Sequence, residues 1–237
     1  VAERALIPKA TDPLPTGDQK VQSVQAMFDA IAPRYDLVNR LMTFGLDVAW
    51  RKIAMKELAL PSRSVVADLA CGTGDFCREI RQRGHIPLGF DLAYGMLASA
   101  RTDAQLTHAD ALRLPLTDAS VDAVTCGFAL RNFVELPPFF DEVARVVRPG
   151  GRIALLDVSA PRSALLRGGF DFYFGKVVPK IGGLLSNADA YNYLPRSVAY
   201  LPESDVLTEQ VAAAGFQNVE HRQLTGGLTQ LIVATRK

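Results

Sequence analysis

The 237-residue sequence contains only three cysteines, Cys71, Cys77 and Cys126, which are too few, and odd in number, for a disulfide framework. That scarcity favours a reducing compartment, so the cytoplasm is the expected location. No run of about 20 apolar residues occurs, and the first twenty residues lack a basic start followed by an apolar segment, which argues against a membrane span or a secretion signal. Neither sign of charge is in excess: 26 Lys and Arg stand against 25 Asp and Glu. With no polybasic tail, charge makes no case for a nucleic-acid partner. His85, His108 and His221 are widely separated and no CxxC pair exists, so neither a metal centre nor a nucleophilic triad is expected. Internal repeats and a phosphate-binding GxxxxGKS/T loop are also missing.

The length suits one sizeable domain. Pro8, Pro13, Pro15 and Gly17 mark residues 1–20 as a tail, and residues 21–237 read as a single domain. Val21, Val24, Met27, Phe28 and Ile31 form one apolar helical face that Pro33 should end. A second helical region follows, breaking at Gly45, with Trp50, Ile53, Ala54 and Leu58 sharing a face. Residues 21–60 therefore predict a helical cover preceding the main sheet.

From Ser64 onward short apolar runs alternate with amphipathic stretches: SVVADLA, PLGFD, AQLTHAD, VDAVTCGFAL and RIALLDVS, with helical patterns between most of them. A turn at Pro149, Gly150 and Gly151 should precede the last of these strands. The alternation predicts an α/β fold with a mainly parallel sheet covered by helices on both faces. Residues 160–203 break the rhythm with prolines and aromatics and read as an insertion or lid. Its Phe170, Phe172, Tyr173 and Phe174 suit a lid core, a prenyl chain or a bilayer. The tail FQNVEHRQLTGGLTQLIVATRK predicts an antiparallel hairpin turning near Gly226 and Gly227.

The sharpest signal is VVADLACGTGDF. It sets Asp68 near a strand end, then Gly72 and Gly74 in a tight turn before a helix, where a ligand can approach the backbone. The third glycine of a dinucleotide fingerprint is replaced by Cys77, which lowers the case for NAD. A cofactor with a sulfonium or ammonium centre suits the carboxylate of Asp68. Asp91, 17 residues after Gly74 at the end of the second strand, can accept hydrogen bonds from vicinal ribose hydroxyls. Asp110 and Ala111 are placed to meet a base edge, and Gly127 to line the crevice at strand four.

In this order the residues resemble class I S-adenosylmethionine-dependent methyltransferases. More specifically, MFDAIAPRYDLVNRLMTFGLDVAWR, DLACGTGD, FALRNF, RVVRPGGR and AYNYLPRSV resemble the UbiE/MenG family of quinone C-methyltransferases. The resemblance implies a Rossmann-like fold with a seven-stranded sheet, S-adenosylmethionine as methyl donor, and demethylmenaquinol or a related prenylated hydroquinone as acceptor. It implies that Thr73 contacts the methionine portion, Asp91 the ribose, and Asp110 and Ala111 the adenine. Gly127 stands where many relatives have serine, and Ala129 and Phe133 depart from the common FGLRNV form. Arg131 and Asn132 are the expected catalytic loop pair near the quinol oxygen, Arg131 stabilising phenolate or ordering a proton-accepting water. Asp157, after strand five, is the expected proton acceptor through water. Tyr35, Asp36 and Asn39 from the cover, with Tyr191 and Tyr193, are expected to shape the acceptor cavity. Peripheral contact with the inner membrane face fits a prenylated acceptor, and no oligomeric partner is indicated. Another small phenolic or sterol-like acceptor, or a noncatalytic nucleoside-binding domain, are the alternative readings.

Overall fold

The computed structural model describes residues 7, 12–159, 161, 168–169, 172–178, 181 and 188–237. Helix α1 (Gly17–Ile31) is followed by a 3-10 turn containing Pro33, then α2 (Tyr35–Met42) and α3 (Leu46–Leu58). The α2–α3 break falls at Gly45, whose φ of 75° only glycine adopts at no steric cost. Two expectations shift here. Ordered helix begins at Gly17 instead of near Val21, which brings Lys20 into a buried position. On α3, Trp50, Ala54 and Leu58 are buried while Ile53 faces outward.

The sheet strands are β1 (Val65–Leu69), β2 (Ile86–Asp91), β3 (Gln105–His108), β4 (Val121–Gly127), β5 (Val147–Val158), β6 (Phe216–Leu224) and β7 (Thr229–Arg236). They form one seven-stranded sheet in the order β3-β2-β1-β4-β5-β7-β6. The first five are mutually parallel, while β7 lies antiparallel between β5 and β6 as the expected C-terminal hairpin. Helices α4 (Asp75–Gln82), α5 (Tyr94–Ala98) and α6 (Pro137–Val146) join the parallel strands. Helices α7 (Ala188–Ser197) and α8 (Ser204–Ala213) precede the hairpin. The Pro149–Gly151 turn is absorbed into β5 as an irregularity: Val147 pairs with Val121, and regular pairing resumes at Arg152 opposite Ala123.

Both sheet faces are covered, as expected. On one side Phe139, Phe140 and Val143 of α6 pack with Val124 and Leu155; on the other, Trp50, Leu58, Phe76 and Ile80 pack with Val66 and Ala154. Burying each large side chain contributes about 1.5–3 kcal/mol, which is why the central strands are continuously apolar. A separate cluster holds the N-terminal cover to the segment before α8: Met27, Ile31 and Val38 enclose Val178, Ala190, Tyr191 and Tyr193. The order reverses between β1 and β4, so a crevice opens at their carboxyl ends, where open α/β sheets bind ligands. Much of the expected lid at 160–203, including Phe170 and the side chain of Phe174, lies outside the described residues.

Candidate active site

At the crevice the β1–α4 turn is held by its neighbour strand. Asp91, ending β2, accepts the Gly72 N–H on one carboxylate oxygen at 2.7 Å and the Ala93 N–H on the other at 2.8 Å. Each oxygen keeps lone-pair capacity toward the cavity that Asp91 lines. Burial pushes the Asp91 carboxyl above the ordinary range, opposed by those two backbone bonds. Gly74 does not line the cavity; it begins α4 at a φ of 88°, and a Cβ there would stand 2.5 Å from Cγ2 of Thr102. Its role is to let the turn close.

The first cavity is lined by Asp68, Gly72, Thr73, Asp91, Asp110, Ala111, Gly127 and Asn132 among the expected residues, with Phe28 of α1 closing over it. Asp68 accepts the Thr125 hydroxyl at 2.8 Å and the Cys77 thiol at 3.6 Å. Burial lifts its pKa to about 7 against those bonds. Asp110 is exposed and caps its own loop by accepting the Leu112 N–H at 2.9 Å, beside buried Ala111. Thr73 donates its hydroxyl to Asp36, so Asp36 braces the turn and lines neither cavity.

Gly127 meets the side of Phe76: a Cβ there would lie 2.7 Å from Cε2 of that buried ring. The space a serine side chain needs is taken by Phe76. Gly127→Ala is therefore expected to lower stability by about 1–3 kcal/mol through overpacking, with Phe76→Leu restoring part of it in thermal unfolding.

A second cavity adjoins the first, sharing Tyr35 and Phe128 as lining residues. Asn39, Met42, Phe44, Trp50, Arg131 and Tyr173 are among its other lining residues. Burial raises the Tyr35 hydroxyl to about 12, partly offset by Arg51 and Arg131. Phe128 holds a φ of 62°, a left-handed conformation costly for a bulky residue.

Arg131 and Asp157 are brought together, but as partners of each other. Arg131 Nη1 donates to Asp157 Oδ1 and, at 2.7 Å, to the Phe128 carbonyl; its Nε donates to Ser197 Oγ at 3.1 Å. Asp157 Oδ1 also accepts the Val158 N–H, and Oδ2 accepts the Arg131 N–H. With both oxygens engaged, full burial and no share in either cavity wall, Asp157 is placed to hold Arg131 and not to face an acceptor. Asn132 Oδ1 is buried with no hydrogen-bond partner among the described residues, on a side chain lining the first cavity. Tyr191 and Tyr193 are not brought to either cavity; both are buried in the cluster around Met27 and Ile31.

Sequence reasoning missed the charge cluster behind the turn. Asp75 accepts Arg51 at 3.1 Å and Arg40 at 3.4 Å, and pairs with Arg78; Asp47 accepts Arg40 at 2.7 Å and Arg51 at 2.6 Å. The network fastens α2 and α3 to the start of α4. Asp75 follows Gly74 directly and Arg78 lies one turn on in α4, so part of the signal was in the motif, but Arg40 and Arg51 are distant in sequence.

A cationic nucleoside cofactor fits these residues. Among the described residues, Asp68, Asp75, Asp91 and Asp110 line the first cavity against one cation, Arg51, a balance that favours a sulfonium and disfavours a polyphosphate. Asn132 Oδ1, buried and unpartnered, needs a donor from a ligand or water. Among the described residues no three His, Cys, Asp or Glu side chains converge on a metal position, and no helix is long and apolar enough to cross a membrane.

Comparison with known proteins places the chain in a family. The profile of the ubiE/COQ5 methyltransferase family matches residues 16–236. A demethylmenaquinone methyltransferase of Deinococcus radiodurans is 42% identical over 235 residues, covering 94% of this chain and 97% of the relative. The ubiquinone/menaquinone biosynthesis C-methyltransferase UbiE of Geotalea daltonii is 37% identical over 222 residues, covering 89% and 94%. Among solved structures, an S-adenosylmethionine-dependent methyltransferase of Thermotoga maritima, described as a possible histamine N-methyltransferase, superposes with a TM-score of 0.64 at 19% identity, covering 89% of this chain and 98% of that one. One from Aquifex aeolicus gives 0.62 at 15% identity, covering 85% and 98%. These two likenesses concern the fold alone.

Proposed function

This chain belongs to the ubiE/COQ5 methyltransferase family and is an S-adenosylmethionine-dependent methyltransferase, and from that premise we propose that it methylates a ring carbon of demethylmenaquinol or a related prenylated hydroquinone. The observation that carries the acceptor is the second cavity, an apolar chamber with one guanidinium, joined to the cofactor cavity through Tyr35 and Phe128. Such a chamber suits an uncharged aromatic ring that becomes anionic during the reaction.

Asp91 holds the cofactor ribose, Asp110 and Ala111 the adenine, and Gly72 and Thr73 the methionine portion, with Asp68 supplying negative potential. The bound cofactor supplies an electrophilic methyl group. A neutral hydroquinol is a weak carbon nucleophile, and loss of a phenolic proton moves electron density onto the ring. Arg131, permanently charged, favours the phenolate oxygen without removing the proton itself. Tyr35 keeps its proton across the physiological range and so acts as a donor to that oxygen. Asn39 and Asn132 add fixed polar contacts, while Phe128, Trp50 and Met42 exclude water. Restoring aromaticity releases the ring proton, so one proton leaves per methyl transferred.

Residues 21–60, with the described residues of 160–203, act as the acceptor-side cover of the single domain. Leu37, Leu41 and Phe44 recur on one side of α2 and its end, all exposed, with Phe44 at 77% and on the wall of the second cavity. A prenyl tail leaving that cavity meets this ridge, which fits peripheral contact with a lipid surface.

The test is transfer of labelled methyl groups to reduced prenylated naphthoquinols and benzoquinols and to unrelated phenols, with the methylated atom located by mass spectrometry. Transfer to a quinol ring carbon is expected; exclusive O- or N-methylation rejects the reading. In the same assay with the quinol carried in anionic vesicles, Phe44→Ser should reduce co-sedimentation with the vesicles. Unchanged sedimentation removes the lipid contact.

A further inference from the structure

Lys20 is buried on α1 and takes no part in the chemistry above. Its Nζ donates to the Phe133 carbonyl at 2.6 Å and stands 3.6 Å from the centroid of the Tyr200 ring. Tyr200 in turn donates its hydroxyl to the Pro15 carbonyl at 2.5 Å, just ahead of α1. No carboxylate among the described residues pairs with Lys20. Removing an ammonium from water without a counter-ion is costly, and the remaining compensation is one carbonyl and one aromatic face. A methionine or leucine would fill this volume without that cost, so the charge has a task other than packing.

The carbonyl it holds identifies the task. Phe133 follows the 3-10 turn Leu130–Asn132, which carries Arg131 into the second cavity and Asn132 into the first. From the opposite side the turn is held by Asp157 through Arg131. Its Asn132 end has no such partner: Asn132 Oδ1 is unsatisfied, and its backbone N–H bonds only locally, to the Ala129 carbonyl at 2.8 Å. The long-range tether at that end comes from α1.

We propose that Lys20 is a positioning residue for methyl transfer: by donating to the Phe133 carbonyl it fixes the Arg131–Asn132 turn against α1, so that closing the helix over the cofactor cavity and setting the acceptor-facing loop are one event. Two further contacts of α1 support the coupling. Gln25 donates to the Leu92 carbonyl at 3.1 Å, and Asp29 accepts the Gly95 N–H at 2.7 Å, both beside Asp91. One helix therefore touches the loop after β2, which meets the cofactor, and the loop after β4, which meets the acceptor. Burial lowers the Lys20 pKa to about 8, in keeping with an ammonium held in place by neutral groups.

The inference rests on the quinol-methyltransferase reading for its kinetic arm alone. With the full chain, Lys20→Met should lower kcat about tenfold to a hundredfold, since small misplacement of reacting groups has effects of that order, while cofactor Kd by calorimetry stays within about threefold. Lys20→Arg, which can still donate to Phe133, should recover most of the turnover. Hydrogen exchange over residues 130–134 should quicken in Lys20→Met but not over residues 86–91, and this arm needs no acceptor. Wild-type transfer to a quinol with an unchanged kcat in Lys20→Met overturns the inference and leaves the reading intact. Wild-type failure to methylate any quinol overturns the reading, and the exchange result then decides Lys20. Should Lys20→Met not fold, Tyr200→Leu, which removes the aromatic face over Lys20 together with the hydroxyl bond to Pro15, must lower kcat more than Tyr200→Phe, which removes the hydroxyl alone, with cofactor Kd little changed in both; equal kcat in the two rejects the role.

Discussion

Asp91→Ala is expected to raise the dissociation constant for S-adenosylmethionine about a hundredfold. Two losses combine. The carboxylate accepts two ribose hydroxyls in the proposed complex, and charge-assisted hydrogen bonds contribute about 1.5–3 kcal/mol each, so about 3 kcal/mol or more disappears. At about 1.4 kcal/mol per tenfold, that corresponds to two decades in affinity. The same substitution removes the acceptor for the Gly72 and Ala93 N–H groups, which loosens the turn and the loop after β2 together. Asp91→Asn should rescue little, because one of its two positions now presents N–H to N–H. A pH series adds a sign. Burial raises the Asp91 pKa, and only the carboxylate accepts both hydroxyls, so affinity should fall on acidification from a pH above the ordinary aspartate range. Isothermal calorimetry on a variant with native far-UV dichroism measures all three; affinity unchanged in Asp91→Ala removes the residue from the cofactor site.

Periodicity and turn chemistry placed the central strands, because β1, β4 and the later part of β5 are buried on both faces of a covered sheet. They also placed the β1–α4 turn beside the end of β2, where Asp91 accepts the Gly72 N–H. Side-chain partnership was less legible. Arg131 and Asp157 read as two separate catalytic candidates, yet a buried guanidinium and a buried carboxylate at the ends of adjacent strands meet each other before they meet a substrate. Tyr191 and Tyr193 read as walls of the acceptor cavity, but apolar burial against Met27 and Ile31 claims them. Lys20 fell in a proline-flanked stretch taken for a tail; only the tertiary contacts of Phe133 and Tyr200 give its ammonium a place. In each case the missing information was a contact between residues far apart in the chain.

That partnership sets the second large effect. Arg131→Met leaves Asp157 fully buried and without its cation, and Asp157→Leu leaves a buried guanidinium without its anion; each should destabilise the protein by about 3–5 kcal/mol in urea unfolding. The double variant Arg131→Met/Asp157→Leu should be less destabilised than the sum of the two, because neither charge remains to be stranded. Activity should not follow stability. Arg131 lines the acceptor cavity while Asp157 lines neither, so the double variant regains fold without regaining methyl transfer. Asp157→Leu alone should also lose turnover, through a displaced Arg131 and not through loss of a base. Arg131→Lys separates charge from geometry: it keeps the cation but cannot reach Asp157, the Phe128 carbonyl and Ser197 Oγ together, so turnover should fall while cofactor affinity holds. Recovery of transfer in the double variant would reject Arg131 as the group that favours the phenolate, since a site with neither charge would then be methylating as well as the native one.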